Sequence, residues 1–112
     1  MVTPSVGAAV LVRFPFSDLS STKLRPAIVI AASGMDDWIL CQVTSNPYSD
    51  DRAVEITDQD FSGGGLMRTS YARPGKLFTA HISLMAGVAG TLTAAKAGVL
   101  IDAIIKLLRP LK

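Results

Sequence analysis

The chain has 112 residues, of which 49% are hydrophobic and 18% are charged. This length supports one core but not two, so we expect a single globular domain spanning residues 1–112. The formal net charge is only +2, which argues against a protein that coats nucleic acid through charge alone.

No apolar run approaches the roughly 20 residues needed to span a membrane, and the N-terminus, MVTPSVG, lacks the pattern of a signal peptide. We therefore expect a cytoplasmic protein without a membrane partner. The single cysteine, Cys41, has no partner for a disulfide. Its place in an apolar segment favours a small core side chain over a reactive thiol.

Hydrophobic patterning predicts mainly β-structure in chain order. Strands are expected over residues 8–14, 26–32, 38–43, 53–56 and 85–92. Residues 66–80 predict either two strands around a Pro-Gly turn or one long strand bent at Pro74. Thr57 could cap a helical turn. Gly63, Gly64 and Gly65 predict a flexible turn after it rather than a phosphate-binding loop, because the lysine that such a loop requires is missing.

The last segment predicts an α-helix from Ala94 to about Leu108, with Thr93 as its N-cap and Pro110 beyond its end. Apolar residues at helical spacing predict a wide buried stripe: Val99, Leu100, Ala103, Ile104, Leu107 and Leu108. The fold class is therefore mainly β, a small bent sheet or barrel of about six strands with a C-terminal helix packed on it.

Metal chemistry is poorly supported by the residue types. His81 is the only histidine, so neither a histidine acid-base pair nor a zinc site can be built from it and Cys41. The adjacent carboxylates at positions 36–37 and 50–51 are typical of solvent-facing turns rather than of a magnesium site. We expect no metal and no cofactor.

Cations and hydroxyls beside strand ends form the candidate site. Arg25 precedes Pro26, which favours an extended backbone at the entrance to a strand, and the Arg73-Pro74 pair repeats this pattern. Thr44 closes the third predicted strand. Further candidate ligand-binding residues lie in or beside the loops: Ser17, Lys23, Ser45, Asn46 and Lys76. Such groups can hold and polarise a phosphate, but anion binding or structural ion pairing would explain the arginines equally well.

Several blocks of the chain resemble the MazF/PemK-like toxins of bacterial toxin-antitoxin systems. The most specific are residues 7–18 (GAAVLVRFPFSD) and 24–30 (LRPAIVI). Others are residues 42–45 (QVTS), 64–79 (GGLMRTSYARPGKLFT) and 90–93 (GTLT). The resemblance implies an SH3-like barrel with a C-terminal helix. It also implies a metal-independent, sequence-specific endoribonuclease that cuts single-stranded RNA at short sequences and leaves a 2′,3′-cyclic phosphate and a 5′-hydroxyl.

The same resemblance implies roles for individual residues. Arg25 matches the arginine expected to donate a proton or to stabilise the transition-state phosphate, and Thr44 matches the threonine expected to bond the same phosphate. Arg73 matches a third catalytic position of the PemK branch. That branch has an acidic residue two positions later that helps as a base, whereas this chain has Gly75, so the general base is unassigned.

The resemblance also implies partners: a second copy in a homodimer, a cognate antitoxin and, through the antitoxin complex, operator DNA. The alternative is a non-catalytic homologue that binds nucleic acid or protein, including a topoisomerase-directed toxin. The latter group usually ends in a Trp-Gly-Phe-type tail, which residues 109–112 (RPLK) lack.

Overall fold

A computed structural model of the chain describes residues 2–15 and 22–110. These residues form seven strands and one α-helix, α1. The strands are β1 Ala8–Pro15, β2 Thr22–Gly34, β3 Asp37–Thr44, β4 Val54–Ile56, β5 Phe61–Gly64, β6 Ser70–His81 and β7 Met85–Leu92; α1 is Ala94–Leu108. The expected mainly β class with a C-terminal helix is confirmed.

The seven strands make one antiparallel sheet in the order β4-β6-β3-β2-β1-β7-β5, curled into a half-barrel. β2 is buried on both faces at Ala27, Ile28 and Val29, in the first part of the apolar run of residues 26–32, whereas Ala32 at its end is exposed. One face packs against α1 through Ile28, Cys41 and Leu100. The other face closes on itself around Val10, Val29 and Leu40.

The glycine-rich segment differs from the predicted flexible turn. Gly63 and Gly64 belong to β5, which pairs with Thr91 and Gly90 of β7 and adds the seventh strand. A Cβ at Gly90 would lie 2.6 Å from the Gly65 nitrogen. Glycine is needed here because two backbones approach more closely than any side chain permits. The predicted helical turn is confirmed as a short 3₁₀ turn, Asp58–Asp60, with Thr57 at its N-cap.

The helix prediction is confirmed at both ends. Thr93 is the N-cap, with its hydroxyl accepting the Lys96 N–H at 3.2 Å. The predicted stripe is wrong at its edges, because Leu100 and Ile104 are buried whereas Val99 and Leu108 are exposed. A single sheet covers only a narrow sector of the helix. No helix among the described residues is long and apolar enough to cross a membrane.

The two alternatives for residues 66–80 are resolved in favour of one long strand. β6 runs continuously through Pro74 and pairs with β3 on one side and with β4 at its first residues. The register shifts between Cys41 and Val43 of β3, opposite the Pro-Gly pair. This irregularity accommodates the proline, which has no N–H to offer to a ladder.

Candidate active site

An open pocket of about 470 Å³ lies where β2 and β3 diverge. Its polar lining comes from β2, β3 and the segment between β5 and β6: Lys23, Arg25, Thr44, Ser45, Arg68 and Ser70. None of the described residues that line it is acidic. Three cationic side chains around one concave surface create a positive potential that favours an anionic ligand.

Sheet register explains why Arg25 and Thr44 meet. The pairing of β2 with β3 ends at Ala27 opposite Gln42, and two more residues along each strand place Arg25 opposite Thr44. Opposed residues of antiparallel strands face the same side. Since the paired strands have separated by this point, the two side chains border a pocket rather than a closed ladder. Arg25 is exposed and Thr44 half-buried.

The Thr44 hydroxyl is held by the loop that follows it. Its Oγ1 donates to the Asn46 carbonyl at 3.1 Å and accepts the Asn46 N–H at 3.2 Å. The Asn46 side chain in turn accepts the Tyr48 N–H at 2.9 Å. Tyr48 and Ser49 both have positive φ, 51° and 67°, a conformation that costs non-glycine residues free energy. The loop therefore fixes the hydroxyl at the pocket rim with backbone bonds.

Arg73 lies outside the lining of this pocket. Its Nε donates to Asp50 Oδ2 at 2.8 Å, and Asp50 Oδ1 accepts the Arg52 N–H at 3.0 Å. The hydrogen bond from Arg73 is the main reason why the pKa of Asp50 lies below its ordinary value. Ala72 is in the core, so Arg73 projects from the opposite face of β6. The ion pair ties the β3–β4 loop to β6.

The other predicted site residues divide into two groups. Lys23 and Ser45 line the pocket with Arg25 and Thr44. Asn46 supports Thr44 without lining the pocket, and Lys76 is an exposed residue of β6 that does not line it. Ser17 lies outside the described residues.

Sequence reasoning missed Arg68 and Ser70 as lining residues. Ser70 is buried, and its hydroxyl donates to the Arg68 carbonyl at 3.0 Å. The available signal was an arginine three positions after the last of three consecutive glycines. It was weak, because only the pairing of β5 with β7 shows where the segment 65–69 lies.

Cys41 is unsuited to nucleophilic chemistry. Burial raises the pKa of its thiol to about 12, and its Sγ donates to the Arg73 carbonyl at 3.2 Å. The expectation that it is a core side chain agrees with its full burial. Among the described residues, no cluster of three or more His, Cys, Asp or Glu side chains could hold a metal ion.

A second cavity of about 510 Å³ lies between the β3–β4 loop and the end of α1. It is lined by Asp51, Arg52, Ala103, Lys106, Leu107 and Pro110. Although it is slightly larger, its surface is mainly apolar, and neither Arg25 nor Thr44 reaches it. The pocket between β2 and β3 is the better candidate for chemistry on an anion.

Comparisons of structure identify similar folds, although no family model matches the sequence and no curated protein matches it. A chain from MazE-MazF of Deinococcus radiodurans has 15% identity and a TM-score of 0.79, covering 99% of this chain and 100% of the other. An endoribonuclease in complex with its cognate antitoxin, from a mycobacterial species, has 16% identity and a TM-score of 0.71, with coverage of 96% and 95%. The Mycobacterium tuberculosis toxin MazF-mt6 has 16% identity and a TM-score of 0.69, with coverage of 90% and 95%.

These similarities extend over nearly the whole of each chain, and they confirm the resemblance in fold that the sequence blocks indicated. The chain has a MazF-like fold.

Proposed function

We propose that this protein is the toxin of a toxin-antitoxin pair and a metal-independent endoribonuclease that cuts single-stranded RNA. The observation that carries the proposal is the placement of Arg25 and Thr44 on one cationic pocket without an acidic lining residue among those described. A phosphodiester fits such a surface, since arginine offers a planar fork of donors to phosphate oxygens. The structural neighbours that are endoribonucleases support the same reaction class.

RNA cleavage requires little chemistry from the protein, because the substrate carries its own nucleophile. The 2′-oxygen forms a bond to phosphorus and the bond from phosphorus to the 5′-oxygen breaks, which leaves a 2′,3′-cyclic phosphate and a 5′-hydroxyl. The proton of the 2′-hydroxyl passes to a base, and the leaving 5′-oxygen gains a proton. Positioning of the two oxygens in line and stabilisation of the charged transition state supply the acceleration.

Within this reaction Arg25 donates hydrogen bonds to the non-bridging oxygens as negative charge grows on them, and solvent supplies the proton that the leaving 5′-oxygen gains. The Thr44 hydroxyl exchanges its bond to the Asn46 carbonyl for one to the phosphate, while the Asn46 N–H keeps its oxygen in place. Lys23, Ser45 and Arg68 hold the flanking backbone. No described lining residue is a carboxylate or histidine, so solvent accepts the proton of the 2′-hydroxyl.

Arg73 takes a different role in this proposal from the one that the resemblance implies. Because its Nε is bonded to Asp50, it positions the β3–β4 loop that carries Ser45 and Asn46. In this role Arg73 does not act together with a base, so the acidic residue that the PemK branch has at the position of Gly75 is not required.

The proposal includes partners and location. Neighbours of this fold include a complex with a cognate antitoxin and the MazE-MazF complex, which supports an antitoxin as a partner of this protein. A homodimer, indirect contact with operator DNA through the antitoxin and a cytoplasmic location complete the proposal.

The test is cleavage of a long single-stranded RNA by the purified protein in EDTA. Replacement of Arg25 by Ala should lower the rate about 10²- to 10³-fold, as loss of one preorganised donor does in other enzymes. Thr44→Val should lose activity and Thr44→Ser should keep most of it, because only the hydroxyl binds phosphate. Arg109→Ala, at an exposed arginine beyond α1, is the matched control and should cut like the wild type.

Intact RNA in the presence of folded wild-type protein would contradict the proposal. That outcome would favour the alternative in which the protein only binds nucleic acid or protein.

A further inference from the structure

One wall of the candidate pocket is apolar and exposed. Leu24, Leu66 and Met67 line it beside Arg25 and Arg68. Leu24 is 50% exposed, and the Met67 side chain is fully exposed. Exposed single hydrophobic residues are common on proteins, but Leu24 and Met67 come from distant parts of the chain and line the same cationic pocket.

The wall is built on a constrained backbone. The Gly65 N–H donates to the Ala89 carbonyl at 3.0 Å, which fixes the start of the segment 65–69 to β7. The Ser70 hydroxyl bonds the Arg68 carbonyl and fixes its end. Met67 therefore projects from a short segment that is anchored on both sides, a position suited to contacting a ligand.

We propose that Leu24 and Met67 form a subsite for one unpaired nucleobase next to the phosphate that Arg25 binds, and that Met67 contributes to the choice of base at the cut. This inference rests on the proposed function and adds a position of base recognition to it. Met67 lies in the segment before β6, and Leu24 lies near the start of β2.

The chemistry of the pocket fits a nucleotide in two parts. Arg25, Lys23 and Arg68 meet the charged backbone, and the apolar wall meets the flat face of a base. Single-stranded RNA can turn its bases outward onto such surfaces. A volume of about 470 Å³ lies within the range of small-molecule sites, so phosphate and base can share the pocket. Flexible methionine accepts more than one base shape, which predicts a preference rather than strict readout.

The test uses an RNA pool with randomised sequence, cut by wild type and variants, with the bases that flank each cut counted by sequencing. In Met67→Ala, the enrichment of the preferred base at one position beside the cut should fall about tenfold or to background. A loss of this size is comparable to the loss of an apolar contact in other specificity pockets. Leu24→Ala should alter the same position. Met35→Ala is the matched control, because Met35 is also almost fully exposed, at 94%, but lies in the β2–β3 turn away from the pocket. Its cut pattern should equal that of the wild type.

An unchanged base distribution in both Met67→Ala and Leu24→Ala would overturn the inference and assign the wall to a protein partner instead. If the wild type does not cut at all, the proposed catalytic function fails, and the same pool is separated into bound and free RNA on a filter. Base enrichment in the bound pool that Met67→Ala removes would still support the subsite. Absence of enrichment, or enrichment that the variant retains, would overturn it.

Discussion

Replacement of Gly90 by Ala tests the backbone crossing that places one wall of the pocket. The added Cβ would lie 2.6 Å from the Gly65 nitrogen, 2.8 Å from the Gly63 carbonyl oxygen and 2.9 Å from Phe61 Cδ1. These distances are roughly 0.5–0.8 Å inside ordinary contact. Two of the three neighbours are backbone atoms and cannot rotate away, so β5 must shift. Overpacking of this kind costs about 1–3 kcal/mol, and the gain from a stiffer unfolded chain offsets about 0.4–1 kcal/mol of it.

The assay is urea unfolding at constant pH, followed by far-ultraviolet circular dichroism and by the fluorescence of Trp38, which packs against the core. A net loss of about 1–2 kcal/mol should lower the midpoint by roughly 1 M. Gly87→Ala is the matched control in the same strand, since a Cβ there meets no atom within 4 Å, and it should stay within about 0.5 kcal/mol of the wild type. Equal midpoints for the two variants would refute the close approach of β5 and β7.

Three further predictions concern single contacts. The hydrogen bond from Arg73 lowers the pKa of Asp50 from its ordinary 3.8. The ion pair therefore stabilises the fold above that pH, and this stabilisation is lost as the pH falls. Urea midpoints of Asp50→Asn should depend less on pH between about pH 7 and about pH 3 than those of the wild type. Burial raises the pKa of Cys41 to about 12, so a thiol reagent at about pH 8 should label the unfolded chain and leave the native chain largely unlabelled; rapid native labelling would contradict this. Thr93→Ala removes the acceptor for the Lys96 N–H and should lower the free energy of unfolding by about 1 kcal/mol, whereas an unchanged urea midpoint would show that this cap contributes nothing.

The sequence predicted most of the fold because its signals are local. The apolar run that begins at Pro26 identified a strand, and Thr93 with Pro110 marked the ends of α1. It missed β5 because Gly63 and Gly64 have low strand propensity, and only the close approach of β7 makes glycine the required residue there. The buried stripe of α1 was predicted too wide because the sequence does not show how much of the helix the sheet covers.

The sequence predicted that Arg25 and Thr44 lie on neighbouring strands, but not that they stand opposite each other. Two β-bulges, between Val29 and Ala31 and between Ala32 and Gly34, shift the pairing of β2 with β3 by two residues, and this shift brings Thr44 opposite Arg25. The partner of Arg73 was not predictable, because Asp50 lies 23 positions away in a loop shaped by two positive-φ residues. Met67 was missed for the same reason: its place depends on the long-range pairing of β5 with β7.

The terminal groups of the RNA fragments show whether Arg25 takes part in the proposed cleavage reaction. Wild-type protein is incubated with single-stranded RNA in EDTA, and the fragments are analysed for their terminal groups. We expect 5′-hydroxyl and 2′,3′-cyclic phosphate ends, which should form about 10²- to 10³-fold more slowly with Arg25→Ala. Fragments with 5′-phosphate ends, or equal cleavage by Arg25→Ala, would contradict this expectation.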